Sequence, residues 1–184
     1  MAQIGSIMGS LTMGCGVPSR ADLSKPVSAK VMNASDIASF TIDGEGNAFI
    51  TRVPTKIGYG VTAVNNALTV TVGRKSQDII PGAYDVSVTF KTLGGAHMLA
   101  SASTPLGIVG TIPRAELVIA VDHGDAVRVY GLGAPLVCTD MSGDSSASAY
   151  ITYTFGVEDW QVGTTIHYLT KEAYDALSTP APEP

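Results

Sequence analysis

Charged residues are scarce in this sequence. Only 11 of its 184 residues are Lys or Arg and 16 are Asp or Glu, which makes 15% charged, against a usual share of about 25%. With a hydrophobic fraction of 45%, the chain has too few charges to coat the surface of a free monomer generously. Such a deficit is typical of a membrane protein, or of a soluble protein whose surface is largely covered by neighbouring chains.

Long hydrophobic runs are missing as well. A membrane-spanning helix needs about 18 or more consecutive apolar residues, and every apolar run here is interrupted within roughly ten positions. Residues 1–20 also differ from a secretory signal, because their first basic residue is Arg20 and Gly and Ser interrupt their apolar positions. We therefore expect a soluble protein with no membrane partner, made in a cytoplasm and kept there until it assembles.

The sequence has no cluster of basic residues. Its formal net charge is -5, and the densest basic pair is Arg74 and Lys75. Nucleic-acid binding depends mainly on the neutralisation of phosphates by a clustered basic face. We expect no specific binding of nucleic acid.

Motifs that would define a catalytic or metal site are also missing. The three histidines lie in different segments: His97, His123 and His167. Carboxylates flank only His123, and residues 122–125 are interpreted as a polar hairpin turn rather than as a metal or catalytic site.

Two segments, residues 43–47 and 140–144, alternate oxygen-bearing side chains as calcium-binding loops do. Both lack the closing Glu, so solvated turns are favoured and calcium binding stays open. We expect no enzyme, no catalytic residue, no metal and no cofactor. An enzyme would instead need His123 or Asp144 in a concave pocket.

Short strands separated by turns dominate residues 37–169. Residues 84–91 alternate strictly, which directs Tyr84, Val86, Val88 and Phe90 towards a core. Residues 117–121 are apolar on both faces, which predicts a strand that is covered on both sides. Hairpins are predicted around residues 44–47 and 122–125. The fold class is therefore all-β, an antiparallel β-sandwich or barrel.

The two ends of the chain differ from this domain. Residues 170–184 are predicted to form one short helix, over residues 170–177 with Thr170 as its cap, followed by a Pro-rich tail. Residues 1–36 are apolar, rich in Gly and without helical or strand periodicity, which predicts an extended N-terminal arm. The arm is expected to pack along its own domain or on a neighbouring subunit, because apolar side chains in water cost solvation free energy.

Interface residues and a disulfide are predicted from the same arm. The expected positions in a homo-oligomer interface are apolar arm residues and one tryptophan: Ile4, Ile7, Met8, Leu11, Met13, Cys15 and Trp160. Cys15 and Cys138 are the only cysteines. Either both are buried free thiols, as is usual in a reducing cytoplasm, or Cys15 joins Cys138 of another subunit after assembly.

An uncharged Gly-rich arm, a body rich in Thr, Val, Gly and Ala, few charges and a Pro-rich end together resemble the structural proteins of tailed-bacteriophage virions. The resemblance covers the whole chain loosely and has no family motif. It implies a self-assembling, non-enzymatic protein located in the virion, with copies of itself and other virion proteins as partners. Capsid decoration is the favoured role, a tail tube that conducts DNA is the alternative, and a β-sandwich binding or adhesion module is a further one.

Overall fold

The protein is a β-sandwich built from three antiparallel sheets. The computed structural model describes residues 26–61, 68–74, 84–93, 115–124, 126–144, 150–157 and 164–180. In chain order, its elements are β1 (Ser28–Asn33), a 3₁₀ turn (Ala34–Asp36), β2 (Ile37–Ile42), β3 (Ala48–Arg52), β4 (Tyr59–Val61), β5 (Leu68–Arg74), β6 (Tyr84–Leu93), β7 (Leu117–Asp122), β8 (Val127–Tyr130), β9 (Val137–Asp144), β10 (Tyr150–Gly156), β11 (Ile166–Leu169) and α1 (Lys171–Ala176).

The strands form sheets of five, four and two strands. The five-stranded sheet has the order β11-β8-β7-β1-β4, the four-stranded sheet the order β5-β6-β10-β9, and β2 pairs with β3 alone. Among the described residues, each of these sheets has two edge strands and none closes into a barrel. The prediction of an all-β antiparallel fold with one short C-terminal helix is confirmed, and of its two alternatives the sandwich is the one observed.

Strand β7 lies at the centre of the fold and is buried along its whole length. Its alternate side chains enter two different cores: Leu117, Ile119 and Val121 face the first, and Val118 and Ala120 face the second. The prediction that this segment is covered on both sides is confirmed. The five-stranded sheet is therefore the middle layer of three.

The four-stranded sheet closes the first core. Val86 and Val88 of β6 are fully buried and Phe90 is 3% exposed, as the alternation predicted. Tyr84 differs from that prediction, since it is 39% exposed. It pairs with Arg74, the last residue of β5, so it lies at the end of the paired part of these two strands.

The β2–β3 hairpin and α1 close the second core. Ala48 of the hairpin and Tyr174 and Leu177 of the helical segment are all buried there. The predicted cap is confirmed, because the Thr170 Oγ1 accepts a hydrogen bond from the Ala173 N–H at 3.2 Å. No helix in the described ranges is long and apolar enough to cross a membrane.

Two cationic side chains attach α1 to the sheets at its C-terminal end. Lys30 Nζ of β1 donates to the Tyr174 and Asp175 carbonyls at 2.7 and 3.1 Å. Arg52, the last residue of β3, donates to the carbonyls of Ala176, Leu177 and Thr179 at distances between 2.8 and 3.1 Å. These bonds satisfy carbonyls that a helix leaves open at its C-terminus, where positive charge is also favourable. They hold the hairpin and the helix together as one layer.

Part of the predicted arm belongs to the β domain. Within residues 1–36, β1 pairs with β7 on one side and with β4 on the other, so Ser28–Asn33 lies inside the sheet. Its side chains enter both cores, Ala29 and Val31 the first and Met32 the second. A strand covered on both faces lacks the alternation that marks a half-exposed one, which is why the sequence pattern missed it. Residues 1–25 lie outside the described residues.

Candidate assembly surface

Apolar side chains remain exposed on the β2–β3 hairpin. Phe40 pairs with Ile50, so both point towards the second core, yet Phe40 is still 37% exposed. Ile42, on the same face near the turn, is 40% exposed. Phe49 lies on the opposite, outward face and is 58% exposed. The hairpin thus presents apolar surface on both of its faces.

The turn that joins β2 to β3 is held by one carboxylate. Asp43 Oδ1 accepts from the N–H groups of Glu45 and Asn47 at 2.9 and 2.8 Å, and Asp43 Oδ2 accepts from the Asn47 side-chain amide at 2.8 Å. The hydrogen bond from the Asn47 side chain is the main reason why the pKa of Asp43 is lowered. Gly46 supplies the positive φ of 89° that the turn requires. Residues 43–47 therefore form a turn, as predicted, and the Asp43 carboxylate is directed at its own loop.

A groove of about 450 Å³ runs beside β2. Strand β2 forms one wall, the connection between β8 and β9 forms the other, and Val118 of β7 lies between them. The lining residues are Ala34, Ile37, Ala38, Ser39, Phe40, Val118, Gly131, Leu132, Gly133 and Pro135. None of these carries a charge. Strand β2 pairs with β3 on one side, and no described strand pairs with its other side.

Two glycines shape the second wall of the groove. Gly131 and Gly133 have φ values of 91° and 77°, a region that other residues rarely adopt. A Cβ at Gly133 would lie 3.5 Å from the Phe40 ring, so the loop passes close to that side chain. The N–H of Gly131 donates to the buried Thr164 Oγ1 at 3.2 Å. The wall is therefore fixed by backbone geometry and by a buried hydrogen bond.

The predicted turn at residues 122–125 is confirmed as the connection between β7 and β8. Asp122 accepts hydrogen bonds from Lys171 Nζ at 2.8 Å and from the Gly124 N–H at 2.7 Å. Burial opposes ionisation of Asp122, but these two bonds and the charge of Lys171 outweigh it, so its pKa is lowered. His123 is buried, with Nε2 at 3.4 Å from the Tyr130 hydroxyl. The polar groups of this turn join β7 to α1.

We expect Asp122→Asn to lower the free energy of unfolding at pH 7, because Lys171 loses its buried anionic partner. A carboxyl whose folded pKa is lowered stabilises the fold above its unfolded pKa of about 4, and that contribution is lost as pH falls through the folded value. The wild-type protein should therefore lose this contribution below about pH 4, whereas the variant lacks it throughout. Urea unfolding at a series of pH values measures both effects.

The matched control for this variant is Asp140→Asn, because Asp140 is an exposed residue on β9. We expect it to change stability little at pH 7. An Asp122→Asn profile that parallels the wild-type profile at all pH values would show that the ion pair with Lys171 contributes nothing.

Several predicted site residues lie elsewhere or cannot be placed. Cys138 lies on β9, an edge strand of the four-stranded sheet, as a half-buried free thiol. Burial raises the pKa of this thiol, and its Sγ contacts the Asp140 carbonyl at 3.4 Å.

Residues 140–144, considered above as a loop, belong to β9 and pair with β10, so the loop interpretation is wrong. The arm positions, Cys15 and Trp160 lie outside the described residues, so their interface roles and the disulfide stay predictions.

Sequence reasoning did not select the exposed hairpin residues. The predicted hairpin contains Phe40, Ile42 and Phe49. An aromatic residue on each of its two strands was the sequence feature that could have indicated an apolar surface there. No pattern of neighbouring residues in the sequence predicts the groove, because its two walls are separated by about ninety residues in the chain.

No set of three or more His, Cys, Asp or Glu side chains is placed to hold a metal ion in the part of the chain that the structure describes. Comparison of the chain with protein-family models, with curated proteins and with solved structures finds no match.

Proposed function

We propose that this protein is a non-enzymatic structural subunit that assembles with copies of itself into part of a tailed-phage virion. The exposed apolar surface of the β2–β3 hairpin carries the proposal. Phe40, Ile42 and Phe49 are each more than a third exposed, and an uncharged groove runs beside the first of them. Burial of apolar surface contributes about 25 cal/mol for each Å² removed from water, so contact with another subunit at this hairpin is favourable.

The edge strands support the same proposal. Besides β2, the three-residue strand β4 forms an edge of the five-stranded sheet, and its Tyr59 is 55% exposed. Unpaired strand edges with apolar side chains are places where another chain adds to a sheet. A protein with so few charges has several such surfaces available to neighbours.

Within the virion, capsid decoration is the role that we favour. The proposal rests on the resemblance of the whole sequence to tailed-phage structural proteins. Tail-tube proteins of that kind usually carry a well-formed helix packed on the sandwich, and α1 has only six residues.

A tail tube is the second candidate, and two observations favour it. Tyr174 of α1 and the following Leu177 are buried against the five-stranded sheet, so a helix does pack on the sandwich. The net charge of -5 also suits a lumen through which DNA slides without binding.

Electron microscopy of the purified full-length protein tests the proposal. Rings or tubes would support a tail tube, and discrete oligomers that bind phage heads would support decoration. Monomers at all concentrations would contradict self-assembly and favour the binding or adhesion module.

We expect Phe49→Lys to weaken assembly at least tenfold in its apparent dissociation constant, because a charge replaces an apolar contact surface. Light scattering over a dilution series measures the change. Thr71→Lys is the control, since Thr71 is exposed on the four-stranded sheet, away from the hairpin. Equal weakening by both variants would show that added charge, and not the hairpin, is responsible.

A further inference from the structure

We propose that the groove beside β2 receives the N-terminal segment, residues 1–25, of a second copy of this chain. The inference rests on the proposed self-assembly and names the site through which it occurs. Three features of the chain support it: the chemistry of the groove, the edge of β2 that no described strand pairs with and the length of the segment.

The groove and the N-terminal segment match in chemistry. The described residues that line the groove carry no charge. Residues 1–19 likewise contain no charged side chain, and large apolar residues, among them Ile4, Ile7, Met8, Leu11 and Met13, are interspersed there with small ones. Burial of a charged segment in such a groove would cost free energy, whereas burial of this segment gains it.

The edge of β2 that no described strand pairs with provides backbone partners for an added strand. A chain that pairs with an exposed strand edge gains main-chain hydrogen bonds, and pockets beside the edge take alternate side chains. Beside β2 the groove supplies such a pocket, with Ile37 and Leu132 on its walls. The small side chains of Ala38 and Ser39 leave room for a second backbone. Ser, Gly and Ala residues between the apolar positions of the segment allow equally close approach.

The proposed self-assembly favours a second copy as the source of the segment. Ser28, the first residue of β1, pairs with Asp122, whereas the groove lies beside Ala34, just past the other end of that strand. The two ends of a six-residue strand are separated by about 17 Å. An extended segment of 25 residues spans up to about 80 Å, so it is long enough to reach a neighbouring molecule.

Helix α1 packs beside the first half of β1. Its Tyr174 hydroxyl contacts Ser28 Oγ at 2.8 Å, and the Tyr174 carbonyl accepts from Lys30 Nζ at 2.7 Å. Cross-linking distinguishes the segment of a neighbour from that of the same molecule.

Chemical cross-linking in the full-length protein tests this inference. Cys138→Ser leaves Cys15 as the only native thiol, and Ala38→Cys then adds a second thiol on the lip of the groove. We expect a flexible bis-maleimide to join the two cysteines of different copies, which gives covalent dimers and longer ladders on a denaturing gel. Thr71→Cys in the same background is the control and should give few or none.

Two cross-linking results would overturn the inference. A cross-link confined to single chains would show that the segment occupies the groove of its own molecule. Assembled particles in which each cysteine reacts with the reagent but no cross-link forms would show that the groove is empty or filled by another segment. In that second case the proposed function stands, because microscopy shows assembly independently of the cross-link.

A groove variant keeps the inference testable without cross-linking. We expect Ala38→Arg to weaken assembly at least tenfold, because it places a charge among uncharged walls. Circular dichroism should show an unchanged fold, since Ala38 is an exposed residue at an irregular position of β2. Thr71→Arg is the control and should assemble normally. Normal assembly of a folded Ala38→Arg protein would overturn the inference.

Discussion

Gly131→Ala is expected to lower the free energy of unfolding by about 3 kcal/mol or more, since it combines backbone strain with a steric clash. Gly131 has a φ of 91°, and a Cβ built there lies 2.8 Å from the Leu117 carbonyl oxygen and 3.2 Å from the Leu136 nitrogen. Both atoms belong to backbone that cannot move independently. Leu117 and Leu136 exchange two hydrogen bonds, of 2.8 and 2.9 Å, beside this position. The added methyl group would therefore break that pair or displace the loop.

Gly44→Ala is the control for this prediction. Gly44 lies in the β2–β3 turn without a positive φ, and nothing lies within 4 Å of a Cβ built on it. Denaturant unfolding of both variants measures the difference, and we expect Gly44→Ala to stay within about 0.5 kcal/mol of wild type. Equal stability of the two variants would show that the loop at Gly131 relaxes freely. Because Gly131 also lines the groove, a partly folded variant should assemble poorly as well.

Most of the β framework was predictable from residue patterns. The alternation in β6 and the apolar segment of β7 identified the buried side chains, and burial of Val86, Val88 and Ile119 agrees with both. Two hairpins and the cap at Thr170 were also predictable, because turn and cap chemistry is local. These elements share a feature: each is defined by residues that are close together in the chain.

Elements that depend on distant pairing were missed. Strand β1 contains Lys30 and Asn33, and residues 140–144 of β9 contain two Asp and a Gly, which suggest a loop. Pairing with β7 and with β10 overrides these local preferences. The register of β9 against β10 also shifts between Thr154 and Phe155, which no sequence pattern shows.

The candidate site was predictable only in part. A hairpin at residues 40–53 was expected, but the groove needs the loop at Gly131 and Gly133 to lie opposite β2. The hairpin that forms one wall is attached to the C-terminal segment by Arg52, which donates to carbonyls more than 120 residues away. Pairwise contacts of this kind emerge from the folded topology. The packing of the sheets against one another therefore determines the assembly surface more than the sequence of any one segment does.

Phe155→Ala is expected to lower the free energy of unfolding by about 3–5 kcal/mol, the cost of a large cavity in a well-packed core. Phe155 is fully buried in β10, and its ring stacks on Phe90 with centroids 5.7 Å apart and an interplanar angle of 11°. Removal of the ring also removes one of the contacts that join β10 to β6. Chemical denaturation followed by circular dichroism measures the loss.

Thr154→Ala is the matched control, one residue away on the opposite face of the same strand. Its Oγ1 shares a hydrogen bond of 3.1 Å with Thr89 Oγ1 on the outer side of the sheet, so we expect a loss of about 1 kcal/mol or less. A similar loss in both variants would show that the first core relaxes around the missing ring.

The form of the transition tests the layered architecture as well. Strand β7 supplies side chains to both cores, so damage to the first core should destabilise the hairpin and α1 on the far side of the sheet. We therefore expect Phe155→Ala to unfold in one cooperative transition, with hydrogen exchange of the β2–β3 amides accelerated along with those of β6. Acceleration confined to the four-stranded sheet would show that the two cores are energetically separate. The assembly hairpin would then belong to a unit that keeps its structure when the first core is weakened.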